Sequence, residues 1–224
     1  MTQSGRAAFF DLDRTLISVS SGHLWFRRER AEGRLSWYGA IEAAVWGTMY
    51  TAGLTRSGRG LQRAVRNLQG ESETEMIARS REFYANEIAH CVSPGAHAVL
   101  QRHREAGEKI VLLTSSTNYL AELIGRDLQF DEVLAMRLEA QDDRFTGRIE
   151  QLCFGPAKVQ VAEAWALQQG VDLEQCWFYS DSYTDLAMLE RVGKPVAVHP
   201  DRRLLKTAQR RGWPIQDWTQ PARA

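Results

Sequence analysis

Two aspartates follow a short apolar segment near the start of the chain. Asp11 and Asp13 come directly after Ala7–Phe10, which has the length and composition of a buried strand. Because side chains alternate along a strand, both carboxylates are expected on one face, at the carboxyl end where open parallel sheets bind ligands. Two buried acids repel each other unless a cation is present. The pair therefore indicates a cation site, although surface acids that open a turn would give the same pattern.

A second pair of acids repeats this arrangement. Asp181 and Asp185 follow the apolar segment Cys176–Tyr179, the first at a strand end and the second in the opening turn of a helix. If the two strands are neighbours, the predicted metal ligands meet at one edge of the sheet: Asp11, Asp13, Asp181 and Asp185. Carboxylates combined with waters and phosphate oxygens suit Mg²⁺ better than Ca²⁺. The alternative for Asp185 alone is stabilisation of a helix dipole.

Hydroxyl groups and one lysine supply the features of an anion site. Thr114 and Ser115 begin a run of four hydroxyl residues that follows the apolar segment Ile110–Leu113 and precedes a helix. Backbone N–H groups and hydroxyls at such a position bind anions. Lys158 lies near the start of another predicted helix, where a cation opposes the helix dipole unless an anion faces it. Ordinary helix capping and a solvated lysine are the alternatives.

These features are mutually consistent as a site for phosphoryl transfer. Acids would hold Mg²⁺, the metal and a lysine would hold a dianion, and a remaining carboxylate would attack it to form an aspartyl-phosphate. The sequence contains no G-x-S-x-G, H-E-x-x-H or P-loop lysine motif. The histidines share no spacing typical of metal ligands: His23, His90, His97, His103 and His199.

Alternating strands and helices must position these residues. Short apolar runs predict buried parallel strands at Ala7–Phe10, Ile110–Leu113, Cys176–Tyr179 and Pro195–Val198. Helical patterns lie between them at Asn118–Leu128, Pro156–Gln169 and Leu186–Val192. This order predicts an α/β fold with a Rossmann-like, doubly wound parallel sheet.

The segment between residues 18 and 91 interrupts this alternation. It contains helical patterns only, including an apolar spacing over Trp37–Met49 and a capping box formed by Ser72 and Glu75. We therefore expect an inserted, all-helical domain at 18–91 and a core formed by 1–17 and 92–224. Within the core, Arg137–Ile149 is predicted to form a hairpin with acids at its tip.

Composition excludes several classes of protein. The 224 residues carry 28 basic and 28 acidic side chains, and this zero net charge argues against a dedicated nucleic-acid partner. The chain lacks the run of about 18 apolar residues that a membrane span needs, so we expect no stable membrane insertion. Three widely spaced cysteines indicate reduced thiols and a cytoplasmic location. The oligomeric state stays open.

The motifs resemble those of the haloacid dehalogenase superfamily. The matching features are D-x-D-x-T at Asp11–Thr15, the strand-end Thr114, Lys158, and D-x-x-x-D at Asp181–Asp185. The inserted helices look like the cap of the phosphoserine phosphatase-like branch, subfamily IB. The resemblance covers most of the chain outside the insert, and it implies a Rossmann-like core with a helical cap.

The resemblance also implies catalytic roles for two aspartates. Asp11 would be the nucleophile and a Mg²⁺ ligand. Asp13 would protonate the leaving oxygen, activate the hydrolytic water, and bind Mg²⁺ through its backbone carbonyl. Burial and neighbouring acids would raise the pKa of Asp13 enough for this acid–base work.

The remaining positions would bind phosphate and metal. The resemblance places Thr114 and Lys158 on the phosphoryl oxygens, and Ser115 is a further candidate from the hydroxyl run. Asp181 would ligate Mg²⁺. Asp185 would support the metal through water or through a contact with a lysine.

The implied activity is hydrolysis of a small phosphorylated metabolite, such as phosphoserine or histidinol phosphate. Two departures weaken the phosphoserine assignment: Ser20 stands where phosphoserine phosphatases have glutamate, and Arg63 is one position out of register. The insert also carries aromatic residues, most of which we expect in its core: Trp25, Phe26, Trp37, Tyr38, Trp46 and Tyr50.

Three alternatives remain on the same core. One is a phosphotransferase that passes the phosphoryl group to an alcohol, and another is a lipid-phosphate phosphatase. The third is a binding protein on an inactive core, in which basic segments such as Arg202–Arg211 contact an anionic partner.

Overall fold

The computed structural model describes residues 5–34 and 59–219 of the chain. Within them one sheet is formed by β1 (Ala7–Phe10), β2 (Lys109–Thr117), β3 (Glu132–Gln141), β4 (Arg144–Gln151), β5 (Trp177–Ser180), β6 (Lys194–Val198) and β7 (Ile215–Gln216). Their order across the sheet is β4-β3-β2-β1-β5-β6-β7. Neighbouring strands are parallel except for β3 and β4, which form an antiparallel pair at one edge.

The four predicted strands are confirmed as the centre of this sheet. β1 has the predicted bounds, and every one of its side chains is buried. It pairs with β2 on one side and with β5 on the other, so that Phe10 lies opposite both Leu112 and Tyr179. The carboxyl ends of these three strands are therefore adjacent, and so are the residues that follow them.

Helices cover both faces of the sheet, as the doubly wound pattern predicts. Those of the described residues are α1 (Ser21–Ala31), α2 (Arg59–Arg66), α3 (Glu73–Phe83), α4 (Pro94–Glu105), α5 (Asn118–Asp127), α6 (Ala157–Gln169), α7 (Leu186–Arg191) and α8 (Arg202–Arg211). On one face Phe9 packs edge-on against Trp165 of α6, with the ring centroids 5.4 Å apart. On the other face Phe10 belongs to a cluster that includes Leu100 of α4 and Ile124 of α5.

The predicted hairpin is also confirmed, with longer strands than expected. β3 and β4 extend it to Glu132–Gln151 and add an antiparallel edge to the sheet. Asp142 and Asp143 form its tip with φ angles of 49° and 61°. Short polar residues tolerate this left-handed conformation better than most side chains do, which explains two aspartates at the turn.

The inserted segment is helical where the structure describes it. α1 lies near its start, and α2 and α3 lie in its second half, with α3 followed by a π-helical turn at Tyr84–Ile88. Ser72 is the N-cap of α3 and accepts a hydrogen bond from the Glu75 amide (3.2 Å), so this half of the predicted capping box is confirmed. The predicted helical spacing over Trp37–Met49 lies outside the described residues.

The two ends of the insert leave the core side by side. Ile17 and Val92 form an antiparallel bridge. The Ser18 amide donates to the Cys91 carbonyl (2.9 Å), and the Ser93 amide donates to the Leu16 carbonyl (2.8 Å). Among the helices of the described ranges, none combines the length and the apolar character required to cross a bilayer.

Candidate active site

Asp11 lies at the point where the central strand ends. Its amide donates a hydrogen bond to the Tyr179 carbonyl of β5 (2.9 Å), which holds the residue in line with the sheet although β1 has ended. The residue is 6% exposed. A carboxylate buried to this degree requires a compensating charge.

Lys158 supplies that charge from the first turn of α6. Its Nζ donates to Asp11 Oδ1 (2.7 Å) and to Asp185 Oδ2 (2.8 Å), and the residue is 2% exposed. Burial alone would lower the pKa of Lys158, but the two carboxylates raise it overall. The lysine is therefore a fixed cation, and these two acids explain why a cation is tolerated at a helix start.

Asp185 is held from two sides, by the lysine and by a serine. Ser180, the last residue of β5, donates from its buried Oγ to Asp185 Oδ2 (2.8 Å) and accepts from the Ser182 amide (3.2 Å). Sequence reasoning did not single out Ser180. Its position directly before Asp181 was the available signal, since the last side chain of a buried strand reaches the same edge as the residues after it.

Asp181 and Asp11 interact electrostatically. Burial and the carboxylates of Asp11 and Asp185 raise the pKa of Asp181 to about 9. Burial also raises the pKa of Asp11 to about 7, with Lys158 opposing the rise and Asp185 adding to it. Asp11 and Asp185 thus share Lys158, whereas the cation that opposes the rise in the pKa of Asp181 is Arg14.

This donor set fits a hard divalent cation, although not as a complete cage. In the part of the chain that the structure describes, no three His, Cys, Asp or Glu side chains are grouped closely enough to hold a metal ion by themselves. Mg²⁺ does not need such a group, because it is commonly held by one or two carboxylates together with waters and phosphate oxygens. Asp11 and Asp181 follow adjacent strands and interact electrostatically, so they are the candidates, whereas Asp185 Oδ2 accepts from both Lys158 and Ser180.

Asp13 has different partners from the other acids. Its Oδ1 accepts a hydrogen bond from the Ser21 amide at the start of α1 (3.0 Å). Burial raises the pKa of its carboxyl group, against hydrogen bonds from Ser21 and the Gly22 amide, which lower it. Of the four predicted metal ligands, Asp11 and Asp185 contact Lys158, and Asp13 contacts the start of α1. Asp181 interacts electrostatically with Asp11.

The predicted phosphate-binding residues lie on the adjacent strand. β2 continues to Thr117, so Thr114 and Ser115 are in extended backbone rather than in a helix. Thr114 is 1% exposed, and its Oγ1 accepts from the Ser116 amide (3.1 Å), which leaves the hydroxyl hydrogen for another acceptor. Ser115 is half-buried.

Such a site is suited to chemistry on an anion with a carboxylate nucleophile. The buried carboxylate of Asp11 is oriented by a fixed cation, and a second carboxyl group at Asp13 is held separately. A nucleophile, a separate acid–base group and a charge-neutralising cation are the components that phosphoryl transfer requires.

Comparisons with known proteins agree with this geometry. The profile of the haloacid dehalogenase-like hydrolases matches residues 8–190. Among the relatives is a phosphoserine phosphatase of Mycobacterium tuberculosis, 33% identical over 218 residues that cover 95% of this chain and 70% of the relative. A histidinol-phosphatase of Neisseria meningitidis is 30% identical over 217 residues, covering 93% of this chain and 96% of the relative.

A solved structure extends the likeness to the whole fold. The crystal structure of a Bordetella pertussis protein of unknown function superimposes with a TM-score of 0.86 at 29% identity, covering 96% of this chain and all of the other. The chain therefore belongs to the haloacid dehalogenase-like hydrolases, and it is a phosphatase of the phosphoserine phosphatase-like branch of that family.

Proposed function

We propose that the protein is a Mg²⁺-dependent phosphomonoesterase that acts through an aspartyl-phosphate on a small phosphorylated metabolite in the cytoplasm. The observation that carries the proposal is the position of Lys158, whose Nζ lies 2.7 Å from Asp11 Oδ1 and 2.8 Å from Asp185 Oδ2. This contact leaves the second oxygen of Asp11 as the attacking atom and places a cation beside it.

In the first step Asp11 displaces the leaving group. A carboxylate oxygen of Asp11 forms a bond to phosphorus while the bond from phosphorus to the ester oxygen breaks. The carboxyl group of Asp13 gives its proton to that ester oxygen, so that the product leaves as a neutral alcohol. The raised pKa of Asp13, which results from burial, supports its role as the acid.

In the second step water hydrolyses the aspartyl-phosphate. Asp13, now a carboxylate, takes a proton from the water as its oxygen attacks phosphorus. The bond between phosphorus and the Asp11 oxygen breaks, which releases inorganic phosphate and restores both carboxyl groups.

Binding of the phosphoryl group falls to the residues around Asp11. Lys158 and the hydroxyls of Thr114 and Ser115 would contact its oxygens. Asp11, Asp181 and the backbone carbonyl of Asp13 would hold Mg²⁺, which would supply positive charge to neutralise the phosphoryl group. Burial and neighbouring carboxylates raise the pKa of Asp11 to about 7 and that of Asp181 to about 9, which supports this assignment because a cation bound there would favour the ionised forms of both groups.

The leaving group would lie under the insert. We assign residues 1–17 and 92–224 to the catalytic core and 18–91 to a cap over it. Phosphoserine and histidinol phosphate are the first substrates to test, since relatives are named for both activities. Ser20 stands where phosphoserine phosphatases have glutamate, which weakens the case for phosphoserine.

The test uses the purified protein with p-nitrophenyl phosphate, phosphoserine and histidinol phosphate. We expect phosphate release that depends on Mg²⁺ and is lost on chelation, and that is abolished in Asp11→Asn but retained in Asp142→Asn, an exposed control. Intact mass of the denatured protein after rapid quenching should show a phosphorylated species in the wild type and in Asp142→Asn, but not in Asp11→Asn. Equal turnover in both variants, independent of Mg²⁺, would overturn the proposal.

A further inference from the structure

The first helix of the insert begins against Asp13. Its N-cap, Ser20, is extended (φ −97°, ψ 109°), and its side chain makes no capping hydrogen bond. The first turn of α1 contains no acidic residue. Instead the Ser21 amide donates to Asp13 Oδ1 at 3.0 Å, so a carboxylate eight residues earlier performs the capping.

Ser21 also joins this helix to the strand that carries Thr114. Its Oγ lies 3.1 Å from the Ser116 Oγ, and the Ser116 amide in turn donates to Thr114 Oγ1 (3.1 Å). Ser21 is 2% exposed, so these hydrogen bonds are formed out of competition with water. A continuous series of hydrogen bonds therefore connects Asp13, the start of the insert and the end of β2.

We propose that Ser21 is a positioning residue, which fixes the carboxyl group of Asp13 in the orientation from which it gives its proton to the leaving oxygen. The inference rests on the proposed phosphatase activity and extends it to a residue of the insert. By this inference, the start of α1 helps to orient the general acid Asp13.

The leaving group provides a readout that a purely structural role would not affect. A phenolate with electron-withdrawing substituents leaves without a proton, whereas phenol itself, with a pKa of about 10, needs one. A poorly oriented Asp13 should therefore slow poor leaving groups selectively. The quantity to measure is the slope of log kcat/KM against leaving-group pKa over a series of substituted phenyl phosphates, since kcat/KM includes departure of the leaving group.

Two variants remove the contacts of Ser21 in stages. Ser21→Ala removes the hydroxyl and keeps the amide donor. Ser21→Pro removes both the hydroxyl and the amide donor. The backbone accommodates proline because Ser21 is the first helical residue, where proline is common. Ser20 is already extended, which is the conformation favoured for the residue before a proline. Ser18→Ala is the matched control, since it loses the hydroxyl of an exposed serine near the start of the insert that donates to the Cys91 carbonyl (3.2 Å).

We expect unsubstituted phenyl phosphate to lose more kcat/KM than p-nitrophenyl phosphate, by about 3- to 10-fold in Ser21→Ala and about 10- to 100-fold in Ser21→Pro. Ser18→Ala should keep the wild-type slope. Equal losses for all leaving groups in Ser21→Ala would overturn the inference, even if Ser21→Pro failed to fold. A wild type that hydrolyses neither the phenyl phosphates nor phosphoserine nor histidinol phosphate would instead overturn the proposed function.

Discussion

At the scale of single residues, Lys158 is the cation that neutralises the carboxylates of Asp11 and Asp185. It is buried at the start of α6 and donates a direct hydrogen bond to each of them. Buried charges of this kind are costly to separate, because the partner left behind has neither water nor a counter-ion. The lysine should therefore affect both stability and catalysis.

Replacing Lys158 with methionine tests both effects. Without Mg²⁺ at pH 8, we expect the free energy of unfolding to fall by about 3–5 kcal/mol, since two buried carboxylates lose their cation. With Mg²⁺, kcat should fall by about 10²–10³ because the phosphoryl oxygens lose a donor. Urea unfolding and initial rates measure the two quantities.

The control for this variant is Lys206→Met on the exposed side of α8. Surface substitutions of this kind are expected to change stability by less than about 0.5 kcal/mol. Similar losses in the two lysine variants would show that the buried ion pairs contribute little.

Site residues that belong to a sequence motif could be predicted from the sequence. Site residues that are brought to the site only by folding could not. Asp11, Lys158 and Asp185 have the types and order that their chemistry demands, and the structure brings them within hydrogen-bonding distance. Ser21 escaped notice because serine before a helix is common, and its contact with Ser116 joins positions 95 residues apart. Only the three-dimensional arrangement of α1 and β2 reveals that pairing.

At the scale of elements, the insert also contacts the core away from its two ends. The tip of the β3–β4 hairpin docks on the start of α3. Asp143 accepts from the Thr74 amide (2.8 Å), from Thr74 Oγ1 (2.7 Å) and from Ser72 Oγ (2.8 Å), and its carbonyl accepts from the Glu73 amide (3.0 Å). We call this contact, formed by Ser72–Thr74 and Asp143, the hairpin clamp.

Glycine substitutions at the hairpin tip isolate the clamp. Asp142 and Asp143 both have positive φ angles, so glycine is tolerated at either position. Asp143→Gly removes the carboxylate that caps α3, and we expect faster amide hydrogen exchange over residues 72–76 and a lower unfolding temperature. Asp142→Gly makes the same backbone change and should exchange like the wild type in that segment.

Identical protection of residues 72–76 in the two glycine variants would mean that the carboxylate of Asp143 does not hold the clamp. The hydrogen bond from the Glu73 amide goes to the backbone carbonyl of Asp143, so neither substitution removes its acceptor. The comparison therefore reports the side-chain contribution alone.

Strands could be predicted from the sequence where all their side chains are buried, and less well at the edge of the sheet and at strand ends. The β1 run Ala7–Phe10 was predicted to the residue because all four side chains are buried. β7 (Ile215–Gln216) was missed, since two residues with an exposed isoleucine give no periodic pattern. β2 extends past Leu113 into four hydroxyl residues, which resemble a helix cap in sequence. Only the last of them, Thr117, pairs with β3, opposite Met136 after an irregularity in the register.

The whole molecule depends on pH through the acids of the site. Asp11 and Asp181 have pKa values of about 7 and about 9 in the folded protein, above the ordinary value of 3.8. At pH values between 3.8 and the raised pKa of each group, the folded state binds more protons than the unfolded chain does. Their contribution to stability is therefore fully present below about pH 4 and is lost as pH rises through about 7 and then about 9.

This linkage predicts the response of the protein to magnesium. Without metal, the free energy of unfolding should fall from pH 5 to pH 9, by at most about 1.4 kcal/mol per pH unit for each titrating group. Mg²⁺ binds the deprotonated carboxylates, so it should stabilise the protein more at pH 9 than at pH 5. Urea unfolding at both pH values, with and without Mg²⁺, measures this.

Asp181→Asn is the control for the linkage. It removes one of the two raised groups and should flatten the pH dependence and reduce the stabilisation by Mg²⁺. A magnesium effect that is equal at pH 5 and pH 9 in the wild type would contradict the linkage.

The hairpin clamp has a consequence for exchanging parts between related proteins. The bridge between Ile17 and Val92 brings the two ends of the insert together, so a foreign segment could be spliced in there without stretching the sheet. The clamp adds a second requirement, because the donor segment must also offer hydroxyl and amide groups to Asp143. A chimera should therefore import the donor's hairpin tip along with its helices.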